Sequence, residues 1–141
     1  MSEPRVTRMV LVVAEFHREL AATMVAAARD EAASSDAEVV EEIRVPGAYE
    51  LPLTVQHVLE DRRPDALVAL GFIEKGETLH GEVMGHVVHR SLVELELSHR
   101  MPMGLGLIGP GATPAQAEVR AEGSARSAVR AALALRGVLD G

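Results

Sequence analysis

Blocks of apolar residues at two different spacings alternate along the chain and predict strands followed by helices. Residues 7–14 (TRMVLVVA) are a β-branched apolar run typical of a strand, and residues 19–33 (ELAATMVAAARDEAA) are alanine-rich with apolar positions at helical spacing. Residues 37–45 (AEVVEEIRV) predict a second strand that ends at a Pro-Gly pair. Residues 50–60 (ELPLTVQHVLE) predict a second helix, with Pro52 in its first turn, where a missing N–H costs little.

The second half of the chain repeats this order. Residues 66–72 (ALVALGF) are a continuous apolar run of the kind that is buried on both faces of a parallel sheet. Helical spacing follows from 82 to about 98, and residues 103–108 (MGLGLI) predict a fourth strand that the following Gly-Pro-Gly closes. Residues from about 114 to 139 predict a last helix, in which Gly123 is a candidate interruption.

Together these blocks have the order βαβαβαβα, which implies a parallel sheet with right-handed crossovers and helices on both faces. The predicted fold is a three-layer α/β/α sandwich with a four-stranded parallel sheet, of the flavodoxin-like kind. With 141 residues, 48% of them hydrophobic, the chain can fill one core, so we expect a single domain over residues 1–141. The absence of cysteine excludes disulfide scaffolds, thiol catalysis and cysteine-based zinc sites.

Charge and hydropathy narrow the class of partner. The net charge is −7, from 21 acidic and 14 basic residues, and the bases form no run, so no nucleic-acid footprint is predicted. The apolar run 9–14 is far too short to span a bilayer, and the chain start lacks the basic-then-apolar order of a signal peptide. We therefore expect a cytoplasmic protein without a nucleic-acid or membrane partner.

Ligands of open parallel sheets bind beyond the carboxyl ends of the strands, and four segments of this chain meet at that edge. All three aromatic residues, Phe16, Tyr49 and Phe72, lie in these segments. Stacking of a flat ligand ring on them is the functional interpretation, and filling of gaps under loops is the alternative. The four segments are residues 15–17, 45–50, 72–80 and 109–113.

The turn Gly76-Glu77-Thr78 precedes a predicted helix and ends at His80. A glycine-led turn at a helix N-terminus exposes backbone N–H groups that suit a phosphate, although an ordinary capping turn through Thr78 explains the same residues. His80 is a candidate proton shuttle, since imidazole titrates near neutral pH. The remaining histidines fall mostly on helix surfaces without acids at ligand spacing, so we predict no metal site.

Two further residues have two interpretations each. Glu50, after the Pro-Gly turn, either accepts hydrogen bonds from a ligand or complements the dipole of its own helix. Arg120 either grips a phosphate or lies on a solvated helix face. The sequence pattern leaves both choices open.

At these same residues the sequence resembles the lumazine synthase family of riboflavin biosynthesis, from about Val10 to Ala132. The resemblance rests on four motifs in family order and spacing: AEF at 14–16, VPGAYELP at 45–52, ALGFIEKGETLHGEV at 69–83 and GPGATPAQAEVR at 109–120. It implies a transferase that condenses 5-amino-6-(D-ribitylamino)uracil with 3,4-dihydroxy-2-butanone 4-phosphate and releases phosphate and water. It also implies that no metal or organic cofactor takes part.

The resemblance assigns roles position by position. His80 matches the catalytic histidine, and Phe16 matches the ring that stacks on the pyrimidine. It implies that the wall around the uracil and ribityl chain consists of Ala48, Glu50, Phe72 and Ile73. It implies that phosphate is bound by Gly76, Glu77 and Thr78, together with Arg120 of the neighbouring subunit. A homo-oligomer is therefore expected, a pentamer or a multiple of pentamers, with each site between adjacent subunits.

Three positions depart from the family pattern. His17 stands where many members have Asn, and Leu105 stands where many have an aromatic that covers the heterocycle, so Leu105 is expected to contact it as an aliphatic side chain. A basic residue beyond the phosphate arginine is often Lys, and Arg126 is a candidate substitute.

Two alternative functions stay open: a flavin-binding or shell-forming homologue without turnover, which His80 disfavours, and a receiver-type signalling domain. A receiver needs an acidic residue at the end of the third strand, where this chain has Leu70-Gly71-Phe72.

Overall fold

The fold is described by a computed structural model that covers residues 6–141. Four strands and four α-helices alternate along the chain, which confirms the predicted order. The strands are β1 (Thr7–Ala14), β2 (Ala37–Val45), β3 (Ala66–Glu74) and β4 (Met103–Ala112). The helices are α1 (Arg18–Ala33), α2 (Leu51–Asp61), α3 (His80–His99) and α4 (Pro114–Asp140), and a short 3₁₀ helix, Ala48–Glu50, precedes α2.

All strand pairs are parallel, and the strand order is β2-β1-β3-β4. β1 therefore lies between β2 and β3, while β2 and β4 form the two edges of the sheet. β3 is buried along eight of its nine residues, as its continuous apolar sequence predicts. This topology confirms the three-layer α/β/α sandwich of the flavodoxin-like kind.

Alternate residues of β1 pack into opposite layers of the sandwich because side chains alternate across a strand. One layer contains α1 and α4, and it includes the β1 residues Met9, Leu11 and Val13. The other layer contains α2 and α3, and it includes the β1 residues Val10, Val12 and Ala14. With so few aromatic residues available, both layers consist mainly of Val, Leu and Ala.

The prediction that the Gly-Pro-Gly closes the fourth strand at residue 108 is wrong, since β4 continues to Ala112. The register between β3 and β4 shifts here, because Phe72 pairs with Ile108 and Glu74 pairs with Ala112. Three residues of β4 therefore lie opposite one residue of β3. Pro110 is tolerated in this irregular stretch because β4 is an edge strand and its missing N–H interrupts no outer ladder.

Two helix predictions are also corrected at the level of single residues. α3 begins at His80, two residues before the predicted start, so the imidazole belongs to the first turn of the helix. α4 continues through Gly123, because the buried alanines on both sides, Ala121 and Ala125, pack in the core and hold the helix together. The start of α4 has a capping box, in which Thr113 and Gln116 exchange side-chain-to-backbone hydrogen bonds of 3.3 and 3.0 Å.

Candidate active site

A cavity of about 320 Å³ lies at the carboxyl edge of the sheet, which is where parallel α/β sheets bind ligands. We call it the carboxyl-edge cavity. It draws its walls from the ends of β1 and β3, the turn before α2 and the first turn of α3. Its lining residues are Phe16, Gly47, Ala48, Phe72, Ile73, Glu74, Lys75, Gly76, Thr78, His80, Gly81 and Met84.

Seven of the eleven predicted site residues line this one cavity. Three of them form apolar wall and are themselves well buried, since Ala48 is 6%, Phe72 is 7% and Ile73 is 3% exposed. Phe16 differs, because 75% of its surface is exposed in the single chain. A phenyl ring so open to solvent offers a face on which a planar ligand can stack.

The turn between β3 and α3 forms the polar end of the cavity. Gly76 has a φ of 63°, a backbone conformation that side chains rarely adopt, so glycine suits this position. The Thr78 hydroxyl oxygen accepts a 3.2 Å hydrogen bond from the backbone N–H of His80. Leu79, not Thr78, is the N-cap residue of α3, but the Thr78 hydroxyl satisfies the first backbone N–H of the helix and keeps its own proton free for a ligand.

The His80 imidazole lies at the N-terminus of α3, next to this turn. Its ring contacts Tyr49 edge to face, with the centroids 6.1 Å apart. Gly81, the next residue, brings the start of α3 against the end of β3, since a Cβ at this position would overlap the Glu74 carbonyl oxygen. The close approach of helix and strand places His80 beside both the turn and the apolar wall.

Glu77 lines a second cavity on the other side of the same turn. This neighbouring cavity has a volume of about 590 Å³ and shares Lys75, Gly76 and Thr78 with the carboxyl-edge cavity. The turn therefore borders both spaces, while Glu77 borders only the second. Glu77 thus stays outside the carboxyl-edge cavity, whose acidic lining residue is Glu74.

Glu50 does not line the carboxyl-edge cavity, although it lies at its margin. A Cβ built on Gly47, which does line the cavity, would be 3.2 Å from Oε1 of Glu50. The carboxylate therefore turns back over Gly47, at the end of the 3₁₀ helix. From there it can accept a hydrogen bond from a ligand that extends beyond the cavity.

Leu105 and Arg120 lie apart from the other predicted site residues. Both line a cavity of about 400 Å³ on the outer side of β4 and α4, which we call the edge-strand cavity. The hydroxyl-bearing residues Ser124 and Ser127 line it as well. Within residues 6–141 the Arg120 guanidinium makes no ion pair, so it stays available to an anion or to another subunit.

Arg126 does not join Arg120. It lies on a different face of α4, where its Nη1 donates a 2.7 Å hydrogen bond to Asp30 and lies 3.5 Å from Glu31. The hydrogen bond to Asp30 raises the pKa of the Arg126 guanidinium above its already high value. Arg126 thus helps to hold α4 to α1 within the chain. Its substitution for a second phosphate-binding base stays a prediction.

The sequence pattern did not single out five lining residues: Gly47, Glu74, Lys75, Gly81 and Met84. Lys75, the only lysine of the chain, lies in a motif that the sequence did mark, between Glu74 and Gly76. Met84 follows His80 by one helical turn, so its position follows from the true start of α3. Helical spacing from His80 therefore predicts Met84 as a lining residue, but only when the first residue of α3 is known.

An ion-pair chain supports the loop that carries Phe16. Glu42 on β2 pairs with Arg29 of α1 at 2.9 Å and with Arg44 at 2.7 Å, and Arg44 lies 3.5 Å from Glu15. Burial raises the pKa of Glu42, but hydrogen bonds from Arg44 and Arg29 outweigh it and leave the pKa below its usual value. The chain ends at the residue that immediately precedes Phe16.

The described residues contain neither a metal-binding cluster nor a membrane-spanning helix. Across residues 6–141, no group of three or more His, Cys, Asp or Glu side chains is arranged to hold a metal ion. None of the helices within that range is long and apolar enough to cross a membrane.

Comparison with known proteins identifies the family. The family model described as 6,7-dimethyl-8-ribityllumazine synthase matches residues 6–139. A protein of that name from Saccharolobus islandicus is 41% identical over 128 residues, which cover 91% of this chain and 83% of the relative. Its namesakes from Staphylothermus marinus and Methanoculleus marisnigri are 40% and 38% identical, over 88% and 85% of this chain and 83% and 89% of their own lengths. The chain therefore belongs to the 6,7-dimethyl-8-ribityllumazine synthase family, the transferases that form this lumazine in riboflavin biosynthesis.

Proposed function

We propose that the carboxyl-edge cavity binds 5-amino-6-(D-ribitylamino)uracil and 3,4-dihydroxy-2-butanone 4-phosphate and condenses them to 6,7-dimethyl-8-ribityllumazine, with release of phosphate and water. One observation supports the assignment of this reaction to this cavity. A single cavity joins an exposed aromatic face at Phe16, a glycine turn at Gly76 and an imidazole at His80. These are the three kinds of group that a planar amine, a phosphate ester and a proton transfer require.

The pyrimidine is placed at the apolar end. Its ring stacks on Phe16 and lies against Ala48, Phe72 and Ile73, which are buried and therefore fixed in position. The ribityl chain extends toward Glu50, whose carboxylate accepts hydrogen bonds from its hydroxyl groups. A planar ring held by rigid apolar walls gives up little additional freedom when it binds.

The phosphate of the ketone is placed at the turn. Backbone N–H groups next to Gly76 and the Thr78 hydroxyl donate to it, and the positive end of the α3 dipole favours its negative charge. In this assignment Glu77 contributes through its backbone only. Lys75 adds a positive charge at the edge of the cavity.

The chemistry needs proton transfer more than activation of a nucleophile. The 5-amino group attacks the ketone carbonyl, and loss of water gives an imine. Phosphate leaves with its bonding electrons once a proton is removed from the adjacent carbon, and the resulting enol takes up a proton on its terminal carbon to become a ketone. The ribityl-bearing nitrogen then attacks this carbonyl and closes the ring with loss of water. His80 takes up and returns these protons, and holding both substrates together supplies much of the remaining acceleration.

The position of Arg120 and Leu105 supports a site shared between subunits. They line the edge-strand cavity, apart from His80, so within one chain they do not reach the same space. In a ring of identical subunits one surface patch contacts a different patch of the next copy. We propose a homopentamer, or a multiple of pentamers, in which the edge-strand cavity of one single-domain subunit faces the carboxyl-edge cavity of its neighbour. We propose a cytoplasmic location, where such a small-molecule biosynthetic enzyme finds its substrates.

The assignment is tested by mixing the purified protein with both substrates and following lumazine formation by absorbance. We expect product with the wild-type chain, and a loss of turnover of about 10² for His80→Ala, the lower end of the range for acid–base catalysis, because the amine is already nucleophilic. Binding of the pyrimidine without product would instead support a binding protein that has lost turnover. Sedimentation analysis tests the assembly, for which we expect a mass that is a multiple of five chains.

A further inference from the structure

His17 makes contacts that neither the chemistry above nor the capping of α1 requires. Its imidazole lies between the two phenylalanines of the cavity, with ring centroids 5.1 Å from Phe16 and 4.7 Å from Phe72. The contact with Phe16 is edge to face at 82°, and the contact with Phe72 is tilted at 43°. His17 does not line the carboxyl-edge cavity and lies behind its aromatic wall.

The polar groups of the imidazole do not explain its position. His17 is the N-cap residue of α1, yet its side chain makes no capping hydrogen bond, and only its backbone carbonyl is used, as the acceptor for Ala21 at 2.9 Å. Its Nε2 is buried and has no hydrogen-bond partner within residues 6–141. An unpaired buried polar atom is unfavourable, so the packing of the ring must compensate.

Phe16 gains the most from this packing. The ring is 75% exposed, and in the described part of the chain its aromatic contact is with His17 alone. Without that contact an exposed phenyl ring samples several rotamers, and a ligand that stacks on it must supply the free energy of ordering it. Phe72 is 7% exposed and held in the core, so His17 connects the exposed ring to a fixed one.

We propose that His17 is a positioning residue that holds the Phe16 ring in the orientation needed to stack on the pyrimidine. This inference rests on the proposed function for the identity of the ligand. The contact between the two rings is independent of the proposed function, because it can be measured without substrate.

Steady-state kinetics test the effect on binding. Edge-to-face aromatic contacts of this kind correspond to about a two- to tenfold change in affinity, so His17→Ala should raise KM for the pyrimidine by that factor. The kcat value and KM for the phosphorylated ketone should stay within twofold of wild type. A loss confined to kcat, or an equal rise of both KM values, would overturn the proposal.

Two conservative variants separate the ring from its nitrogen atoms. His17→Phe keeps a planar ring and should restore KM for the pyrimidine, whereas His17→Asn keeps a polar group without a ring and should behave like His17→Ala. The reverse result, with Asn active and Phe impaired, would show that a hydrogen bond matters and would refute the ring contact as the cause. His57→Ala is the matched control, because His57 is an exposed histidine on α2, with 58% of its side chain accessible.

Fluorine NMR tests the contact itself. The chain has two phenylalanines, so labelling with 4-fluorophenylalanine gives two signals, and a Phe16→Leu sample assigns them. His17→Ala should shift and sharpen the Phe16 signal, because the exposed ring then averages freely, and His57→Ala should leave it in place. An unchanged spectrum for His17→Ala would overturn the proposal. A changed spectrum in a protein that makes no lumazine would keep the positioning role and reject the proposed reaction.

Discussion

Tyr49 and His80 are in edge-to-face contact, with ring centroids 6.1 Å apart and planes inclined at 64°. Tyr49 belongs to the short 3₁₀ helix before α2, whereas His80 is the first residue of α3, 31 positions later in the chain. The contact therefore joins the 3₁₀ helix to the start of α3 at the carboxyl edge of the sheet. It also restricts one side of the imidazole to which we assign proton transfer.

This relationship predicts that Tyr49 acts on turnover through the orientation of His80. Tyr49→Ala should lower kcat by about three- to tenfold, the effect of losing one aromatic contact, because the imidazole is then less often aligned. Tyr49→Phe keeps the ring and should stay within twofold of wild type. Steady-state kinetics decide the question, and a large loss in Tyr49→Phe would assign the effect to the hydroxyl group instead.

A second prediction concerns the close approach of α3 to β3. Gly81→Ala places a Cβ against the Glu74 carbonyl oxygen, so the helix start must move outward. Overpacking of this kind costs about 1–3 kcal/mol, and the shift displaces His80 from the turn, so stability and turnover should fall together. Denaturant unfolding and kinetics measure the two effects.

The control for that substitution is Gly137→Ala in α4. A Cβ at position 137 has no neighbour within 4 Å, and alanine favours a helix over glycine by up to about 1 kcal/mol. We therefore expect Gly137→Ala to be neutral or stabilising. A similar loss in both variants would contradict the steric argument for Gly81.

The order of elements could be predicted because each strand and helix has its own hydrophobic period. The end of β4 could not, because Gly109, Pro110 and Gly111 are turn-forming residues in local terms. Only their place on an edge strand, opposite a register shift in β3, allows pairing to continue to Ala112. A single sequence does not state which strand lies at an edge.

The same limit applies to the candidate site: residues next to strand ends could be predicted, and residues placed by the packing of helices could not. Residues that follow strands, such as Phe16 and Phe72, could be placed because the carboxyl ends of parallel strands meet at one edge. Arg126 could not, since its partners Asp30 and Glu31 lie about a hundred positions earlier in the chain and pair with it only through packing of α1 on α4. The same packing leaves Arg120 on a different face of that helix, where it lines the edge-strand cavity.

A third prediction follows from the contact between α1 and α4. Arg130 donates a 3.0 Å hydrogen bond to Glu31, and this bond holds the pKa of the Glu31 carboxyl below its ordinary value of 4.5, against an opposing effect of burial. A carboxyl with a lowered pKa stabilises the fold while it is ionised in both states. That contribution is complete above about pH 5 and is lost as the pH falls through the lowered value.

Glu31→Gln should therefore lower Tm at pH 7, and the difference from wild type should shrink as the pH is reduced below 4.5. Thermal unfolding across this range measures the effect. Glu38→Gln is the matched control, because Glu38 is exposed on β2 and has no ion-pair partner within residues 6–141. A difference in Tm that grows on acidification would contradict a lowered pKa for Glu31.

The last prediction tests whether His80 and Arg120 act in one site across two subunits. They line separate cavities within a chain, so His80→Ala and Arg120→Ala should each damage every site of a homo-oligomer. When the two variants are unfolded together and refolded as a mixture, some sites receive the intact His80 of one chain and the intact Arg120 of its neighbour. Random mixing in equal amounts gives about one such site in four, so activity at a ketone concentration well below KM should return to roughly a quarter of wild type. Each variant refolded alone controls for the procedure, and Arg120→Ala alone should mainly raise KM for the phosphorylated ketone. If the mixture is no more active than the mean of its components, the two residues do not share a site, and Arg120 must be removed from the proposed phosphate-binding group.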